Sequence, residues 1–266
     1  LLAPTLSELR KGGAETVVLV GYLERLAPLL EAGLADAALS LDRWLNEGKR
    51  CISEFGAGNW GANLSVDSFF PTVPKDLLGS NVAIRIHEAP PKENSGIHVA
   101  GHLAESLGVR LPAVPTHPLG CLLSHRREGE RPCLWIHPGA GSPAKRWPLS
   151  SFLEIAADWE ERTGSNTRFL LGEAEIELKA PIEKAGYRIE LPPTLLDMAR
   201  HFAGGDSFLG NDSGPGHLAA LMGLRTVAVF ASTDPNTWSP WGSQSRAIKP
   251  EPDEACARIV DILVLA

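Results

Sequence analysis

Residues 210–220 read Gly-Asn-Asp-Ser-Gly-Pro-Gly-His-Leu-Ala-Ala, which sets a carboxylate (Asp212), a hydroxyl (Ser213) and an imidazole (His217) among three glycines and a proline. Gly210, Gly214 and Gly216 strip side chains from the turn, so a ligand can lie against the backbone. A helix starting here aims free N–H groups and the positive end of its dipole at that ligand. This is the chemistry of an anion site, phosphate above all. The plain alternative is a helix cap, because Asp and Ser are favoured there. His217 in the first turn and a second polar loop upstream favour the ligand reading.

That second loop, residues 137–148, reads His-Pro-Gly-Ala-Gly-Ser-Pro-Ala-Lys-Arg-Trp-Pro. Gly139, Ala140, Gly141 and Ser142 make a small-residue turn, and Lys145 with Arg146 follows it. Two cations beside such a turn suit a diphosphate that gains charge as it leaves. Solvated surface cations are the alternative. The pattern is neither G-x-x-x-x-G-K-[ST] nor G-x-G-x-x-G. A third polar turn, Thr233-Asp234-Pro235-Asn236, offers Asp234 as a ligand contact or as an ordinary turn residue. Glu173, after Gly172, is a candidate acceptor for ribose hydroxyls, or a solvated loop carboxylate. His98 and His102 stand four apart, but Val99 occupies the place where a zincin motif needs Glu. They read as helix-surface histidines, and no metal site is expected. G-x-S-x-G does not occur, which counts against a covalent hydrolase.

The elements that must hold these loops alternate. Residues 133–136 are apolar and strand-like, and Ser151 with Glu154 has the form of a capping box for a helix with Phe152, Ile155, Ala156 and Trp159 on one face. Strands follow at 169–171, 187–191, 207–209 and 226–230, with helices at 174–185, after Thr194, and after 213. Gly164, Gly186, Gly204-Gly205 and Gly223 punctuate them. Such alternation predicts a parallel sheet covered on both faces, with ligands at the carboxyl ends of its strands. The first half predicts strands at 16–20, 37–41 and 82–86 and helices at 23–30 and 97–107, while 45–74 fits no regular pattern. Prolines at 112, 115 and 118 and the charged run 126–130 mark 111–131 as a linker. The domains are therefore drawn at 1–125 and 126–266.

A net charge of −7 argues against a general nucleic-acid binder. The apolar runs are far shorter than a membrane span, so any membrane contact is expected to be peripheral. None of the four cysteines forms C-x-x-C, which reads as isolated buried thiols in a reducing, cytoplasmic setting.

Three segments, HPGAG…KRWP at 137–148, GNDSGPGHLAALMGL at 210–224 and TVAVFASTDPNTWSPWG at 226–242, resemble glycosyltransferase family 9, the ADP-heptose:lipopolysaccharide heptosyltransferases. Their order and spacing match as well, and residues 2–10 and 16–30 resemble the family's first helix and its next strand and helix. The resemblance implies a GT-B fold, α/β, with two Rossmann-like domains of parallel sheet facing a cleft. The C-terminal domain then holds an ADP-sugar donor and the N-terminal one a lipopolysaccharide-core or similar glycan acceptor. Transfer inverts the anomeric centre and needs no cofactor or obligatory metal. Lys145 matches the family lysine near the diphosphate and sugar, Asp212 the aspartate that contacts the donor, and Thr194, Leu195 and Leu196 the stretch that lines adenine. Backbone N–H groups from Ser213 to Gly216 are expected at phosphate. The general base of the family lies in a Gly-Asp loop before the first helix, which places it upstream of Leu1, together with a first strand. The setting implied is the cytoplasm, at the inner face of the inner membrane. Two other readings share these motifs: a nucleotide-sugar-binding protein without transferase activity, and a GT-B sugar-nucleotide epimerase. The epimerases carry glutamates further into the helix where His217-Leu218 stands here.

Overall fold

Parallel strand pairs bridged by helices account for most of the chain. The computed structural model describes residues 1–14, 16–56, 65–69, 74–75, 83–87, 91, 95–125, 133–203, 205–250 and 255–264. Val82, Gly204 and the charged run 126–130 lie outside the described residues. The chain divides into two compact units, one of Leu2 and Pro4–Leu111, the other of Leu1, Ala3 and Pro112–Ala266.

In the first unit the elements are α1 (Ala3–Lys11), β1 (Val18–Gly21), α2 (Leu23–Glu31), β2 (Ala37–Ser40), α3 (Leu41–Gly56), β3 (Ser65–Ser68), β4 (Ala83–Ile86) and α4 (Val99–Ser106). β1 runs parallel to β2 with Val18 opposite Ala37, and β3 parallel to β4 with Ser65 opposite Ala83. Helix α3 and strand β3 occupy a stretch in which the sequence shows no regular pattern. A non-helical Glu47 interrupts α3. Trp44 and Cys51 nonetheless stand two turns apart and pack with Leu39. His98 caps α4, accepting from Ala100 N at 3.1 Å.

The second unit contains β5 (Cys133–His137), α5 (Leu149–Thr163), β6 (Asn166–Leu170), α6 (Lys179–Lys184), β7 (Arg188–Glu190), α7 (Leu195–Phe202), β8 (Ser207–Asn211), α8 (Gly214–Met222), β9 (Arg225–Val229), α9 (Pro235–Trp238), β10 (Ser245–Ile248) and α10 (Ala255–Val264). Its strands form one parallel sheet in the order β10-β9-β8-β5-β6-β7. The chain winds outward from β5 to β7, returns to the middle at β8 and winds outward the other way. That is the doubly wound dinucleotide-binding order, with its switch point between β5 and β8.

Both central strands are buried throughout, as a sheet covered on two faces requires. Leu134, Ile136, Leu209, Val227 and Val229 join Phe152, Ile155 and Trp159 of α5 and Ile259, Val260 and Leu263 of α10 in one core cluster. Elsewhere Trp135 meets Phe202 of α7 edge-on at 6.3 Å, and Phe202 meets Phe208 at 5.5 Å. Helix α8 buries every side chain from Leu218 to Met222, so that part reads as apolar on all sides.

Three local expectations change. Helix α5 starts at Leu149 with Pro148 as its N-cap, so Ser151 and Glu154 lie inside the helix and form no capping box. The helix expected over 174–185 is a 3-10 turn, Glu173–Leu178, followed by the short α6, because Glu175 leaves helical geometry and turns its carboxylate back to Gly172 N at 3.0 Å. Residues 112–125 belong with the second unit, not the first. Leu119 N donates to Leu221 O at 3.0 Å, while His117 reaches Ala220 O at 3.1 Å and Ser243 Oγ at 2.9 Å. Leu119 and Leu122 are buried, so this proline-marked stretch is packed rather than a free linker. The cysteines also differ in setting: Cys51 and Cys133 are buried, Cys256 is half-buried and Cys121 is exposed.

Gly205 passes directly under Trp135. A Cβ there would fall 2.3 Å from Trp135 Nε1 and 3.2 Å from Cys133 O. Trp135 is fixed by Phe202 and by Arg168 over its ring at 5.6 Å. Gly205→Ala is expected to cost about 1–3 kcal/mol, seen as a lower urea midpoint at unchanged slope. An unchanged midpoint would show that Trp135 yields freely.

Candidate functional site

The switch point sends the loops after β5 and β8 away from each other, which opens the sheet end between them. His137, the last residue of β5, stands opposite Gly210 of β8, so the loops start side by side. Asp212 follows immediately and is only 6% exposed. Its Oδ2 accepts from Lys145 Nζ at 2.7 Å and from Thr233 Oγ1 at 2.7 Å. Loops after three neighbouring strands thus converge on one buried carboxylate oxygen.

The cap reading of Asp212 and Ser213 does not describe what their side chains do. Asp212 is engaged by Lys145 and Thr233, and Ser213 Oγ donates to Asn211 O at 3.1 Å, leaving α8 with no side-chain cap from its N-cap residue. The start of α8, with exposed Gly214 and buried Gly216, therefore keeps the anion-binding character of a helix N-terminus. His217 sits half-buried in its first turn.

The first loop is held from two sides. Asn211, wholly buried at the end of β8, donates from Nδ2 to Pro138 O at 2.8 Å and accepts Trp147 N at 3.0 Å on Oδ1. Glu175 lies against Gly139, where a Cβ would meet its Cδ at 2.5 Å, so a larger residue would have to push the Glu175 side chain aside. Gly139 and Ala140 are buried, Gly141 is exposed and Ser142 half-buried. The adjacent cations part company. Lys145 turns to Asp212, while Arg146 pairs with Glu177 Oε1 at 2.9 Å and Glu175 Oε1 at 3.8 Å.

The remaining candidates lie at other strand ends. Glu173 is exposed after β6. Thr194 caps α7 through Asp197 N at 3.1 Å, with Leu195 as the first helical residue. The Thr194 hydroxyl and then Arg200 hold the Asp197 carboxyl below its usual range. Asp234 caps α9, accepting from Asn236 N at 3.0 Å, and it is the neighbouring Thr233 that reaches Asp212. Among the described residues no group of three or more His, Cys, Asp or Glu could hold a metal ion, and no helix is long and apolar enough to cross a membrane.

Sequence reasoning missed Asn211, Thr233 and Glu175 as parts of this arrangement. Asn211 carries a signal in hindsight: it is the single polar amide closing the buried strand Ser207–Asn211. Glu175 carries none, since it sits in what reads as a plain helix.

The profile of glycosyltransferase family 9 (heptosyltransferase) matches residues 101–264, more than half the chain. The chain belongs to glycosyltransferase family 9. It is 32% identical over 127 residues to lipooligosaccharide heptosyltransferase 2 of Campylobacter jejuni, covering 45% of this chain and 39% of that one. It thus spans about two fifths of the curated relatives it matches. A family 9 glycosyltransferase from Veillonella parvula superposes with a TM-score of 0.70 at 19% identity, covering 98% of this chain and 86% of the other. The E. coli heptosyltransferase WaaC with ADP gives 0.70 at 15% identity, covering 97% and 94%. The fold of this family 9 member is therefore that of the GT-B-type heptosyltransferases.

Inside the site, burial holds the His137 imidazole below its usual value of 6.5, aided by the Arg146 cation and opposed by its bond to Leu170 O and by Glu175. The folded state thus prefers neutral His137, while the unfolded chain takes up a proton as pH falls below about 6.5. Stability from this group is present above that pH and drains away below it. His137→Gln should flatten the fall in unfolding free energy between pH 7 and pH 5. An equal slope in the variant would assign the acid sensitivity to other groups.

Proposed function

We propose that this family 9 chain is an inverting glycosyltransferase that moves a heptose or related sugar from an ADP-sugar to a lipopolysaccharide-core or similar glycan acceptor. The observation that carries the proposal is the meeting of Lys145, Asp212 and Thr233 at the start of α8, on the switch point of the sheet. That position supplies what a diphosphate leaving group needs: a fixed cation, free backbone N–H groups and a helix dipole.

In this reaction the acceptor oxygen loses its proton to a base and attacks the anomeric carbon. The bond from that carbon to the β-phosphate oxygen breaks, and ADP departs from the opposite face. Negative charge grows on the diphosphate, where Lys145 and the N–H groups of Ser213, Gly214 and Gly216 meet it. Asp212 holds Lys145 in place for this role and lies near the sugar. Gly139, Ala140, Gly141 and Ser142 let the diphosphate approach the first loop. Glu173 is assigned to ribose, Thr194 and Leu195 to adenine, and Arg146, His217 and Asp234 to the rim of the site. The family's base is a loop carboxylate preceding the helix that α1 represents. No cofactor is required in this scheme, and the cell compartment is the cytoplasm, with brief peripheral contact where a glycolipid acceptor sits in the membrane.

Thermal unfolding with nucleotides tests the donor assignment. ADP at a hundred times its Kd should add about 2.7 kcal/mol to native stability, a shift of several degrees for a chain of this size. UDP should give a much smaller shift, and Asp212→Asn and Lys145→Met should lose most of the ADP response. A larger response to UDP, or full responses in both variants, would overturn the assignment.

A further inference from the structure

We propose that Asn211 is a positioning residue that sets the geometry between Lys145 and Asp212; its link to catalysis rests on the donor-site reading above. One neutral, fully buried carboxamide grips both ends of the loop that carries Lys145. At the loop's entry Nδ2 donates to Pro138 O at 2.8 Å and reaches Gly139 O at 3.4 Å. At its exit Oδ1 accepts Trp147 N at 3.0 Å. Between these points the loop holds itself by a 3-10 turn, Pro143–Lys145, with Lys145 N bonded to Ser142 O at 3.2 Å.

The same residue is joined by one peptide bond to Asp212, whose own N donates to Val229 O at 2.9 Å. Asn211 therefore ties the ammonium-bearing loop and the carboxylate to a single rigid strand end. Sites built on strand ends hold tolerances that free loops do not. The job needs a donor at one end and an acceptor at the other. Ala offers neither, and an ionised Asp offers only acceptors, one of its oxygens facing the carbonyl oxygens of Pro138 and Gly139. Buried against carbonyls, such a carboxyl is driven toward its protonated form, which restores the donor.

The test compares Asn211→Ala and Asn211→Asp with the parent full-length chain. One readout is the rate at which an amine-acylating reagent modifies Lys145, followed by mass spectrometry. The other is ADP affinity by calorimetry between pH 5.5 and pH 8, expressed relative to the parent at each pH. The parent controls for the other titratable groups around the amide: His137, Lys145 and Arg146 from the first loop, Glu175 from beyond β6, and Asp212. In Asn211→Ala, acylation of Lys145 should rise, and ADP affinity should fall by about tenfold at every pH, the scale of one buried polar group left unpaired. Asn211→Asp should match that loss at pH 8 and recover toward the parent at pH 5.5.

A residue that only stabilises the fold would give a pH-independent ratio in Asn211→Asp and leave Lys145 acylation unchanged; either result overturns the proposal. If Asn211→Ala does not fold, the pH course of Asn211→Asp decides. If the parent itself fails to bind ADP, the donor reading falls, and acylation of Lys145 alone judges whether Asn211 sets the pair.

Discussion

The pairing of β5 with β8 is the constraint on which the rest of the second unit depends. It is where the winding of the sheet reverses, so the chain leaves its two central strands in opposite directions. Because the pair is parallel and in register from Leu134 opposite Ser207 to His137 opposite Gly210, both exits lie at the same height. The polar loops then meet without long excursions, and short connections are enough to build a site.

Such a site puts charge at the edge of the buried core. The Asp212 side chain is 6% exposed and that of Lys145 31%, so the pair grades from core to surface. A buried carboxylate is tolerable only with its partners in place. Lys145 and Thr233 supply them from different strand ends, which couples the integrity of the charge cluster to that of the sheet. Beneath it a neutral layer, Asn211 with His137, carries hydrogen bonds without adding charge. The glycine at 139 completes the arrangement by making room for the Glu175 carboxylate.

Much of this was legible before any coordinates. Short apolar strands, valine-rich at 226–230, with glycine stops and polar turns between them, marked the α/β alternation from 133 to 230, while β10 and α10 beyond it were not read. The loops around Lys145 and Asp212 stood out because charged and small residues are crowded where a core strand ends. What escaped had physical reasons. Helix α3 is interrupted at Glu47, and the polar run 46–50 separates Trp44 from Cys51, which hides the face the two share. The turn at 173–178 depends on Glu175 bonding backwards to Gly172, a tertiary choice that overrides helix propensity. Asn211 and Thr233 act across strands, and spacing along one chain does not encode which strand ends become neighbours.

The integration of residues 112–125 into the second unit bears on how the protein can be cut. Leu119 and Leu122 are buried, and His117 spans from the end of α8 to Ser243. A fragment beginning at residue 126 would strip these contacts and bare the apolar end of α8. One beginning at Pro112 would retain the strap over α8 together with all six strands of the doubly wound sheet. The natural boundary for dissecting the chain therefore lies before the prolines, and the proline-marked stretch goes with the unit that carries Lys145 and Asp212.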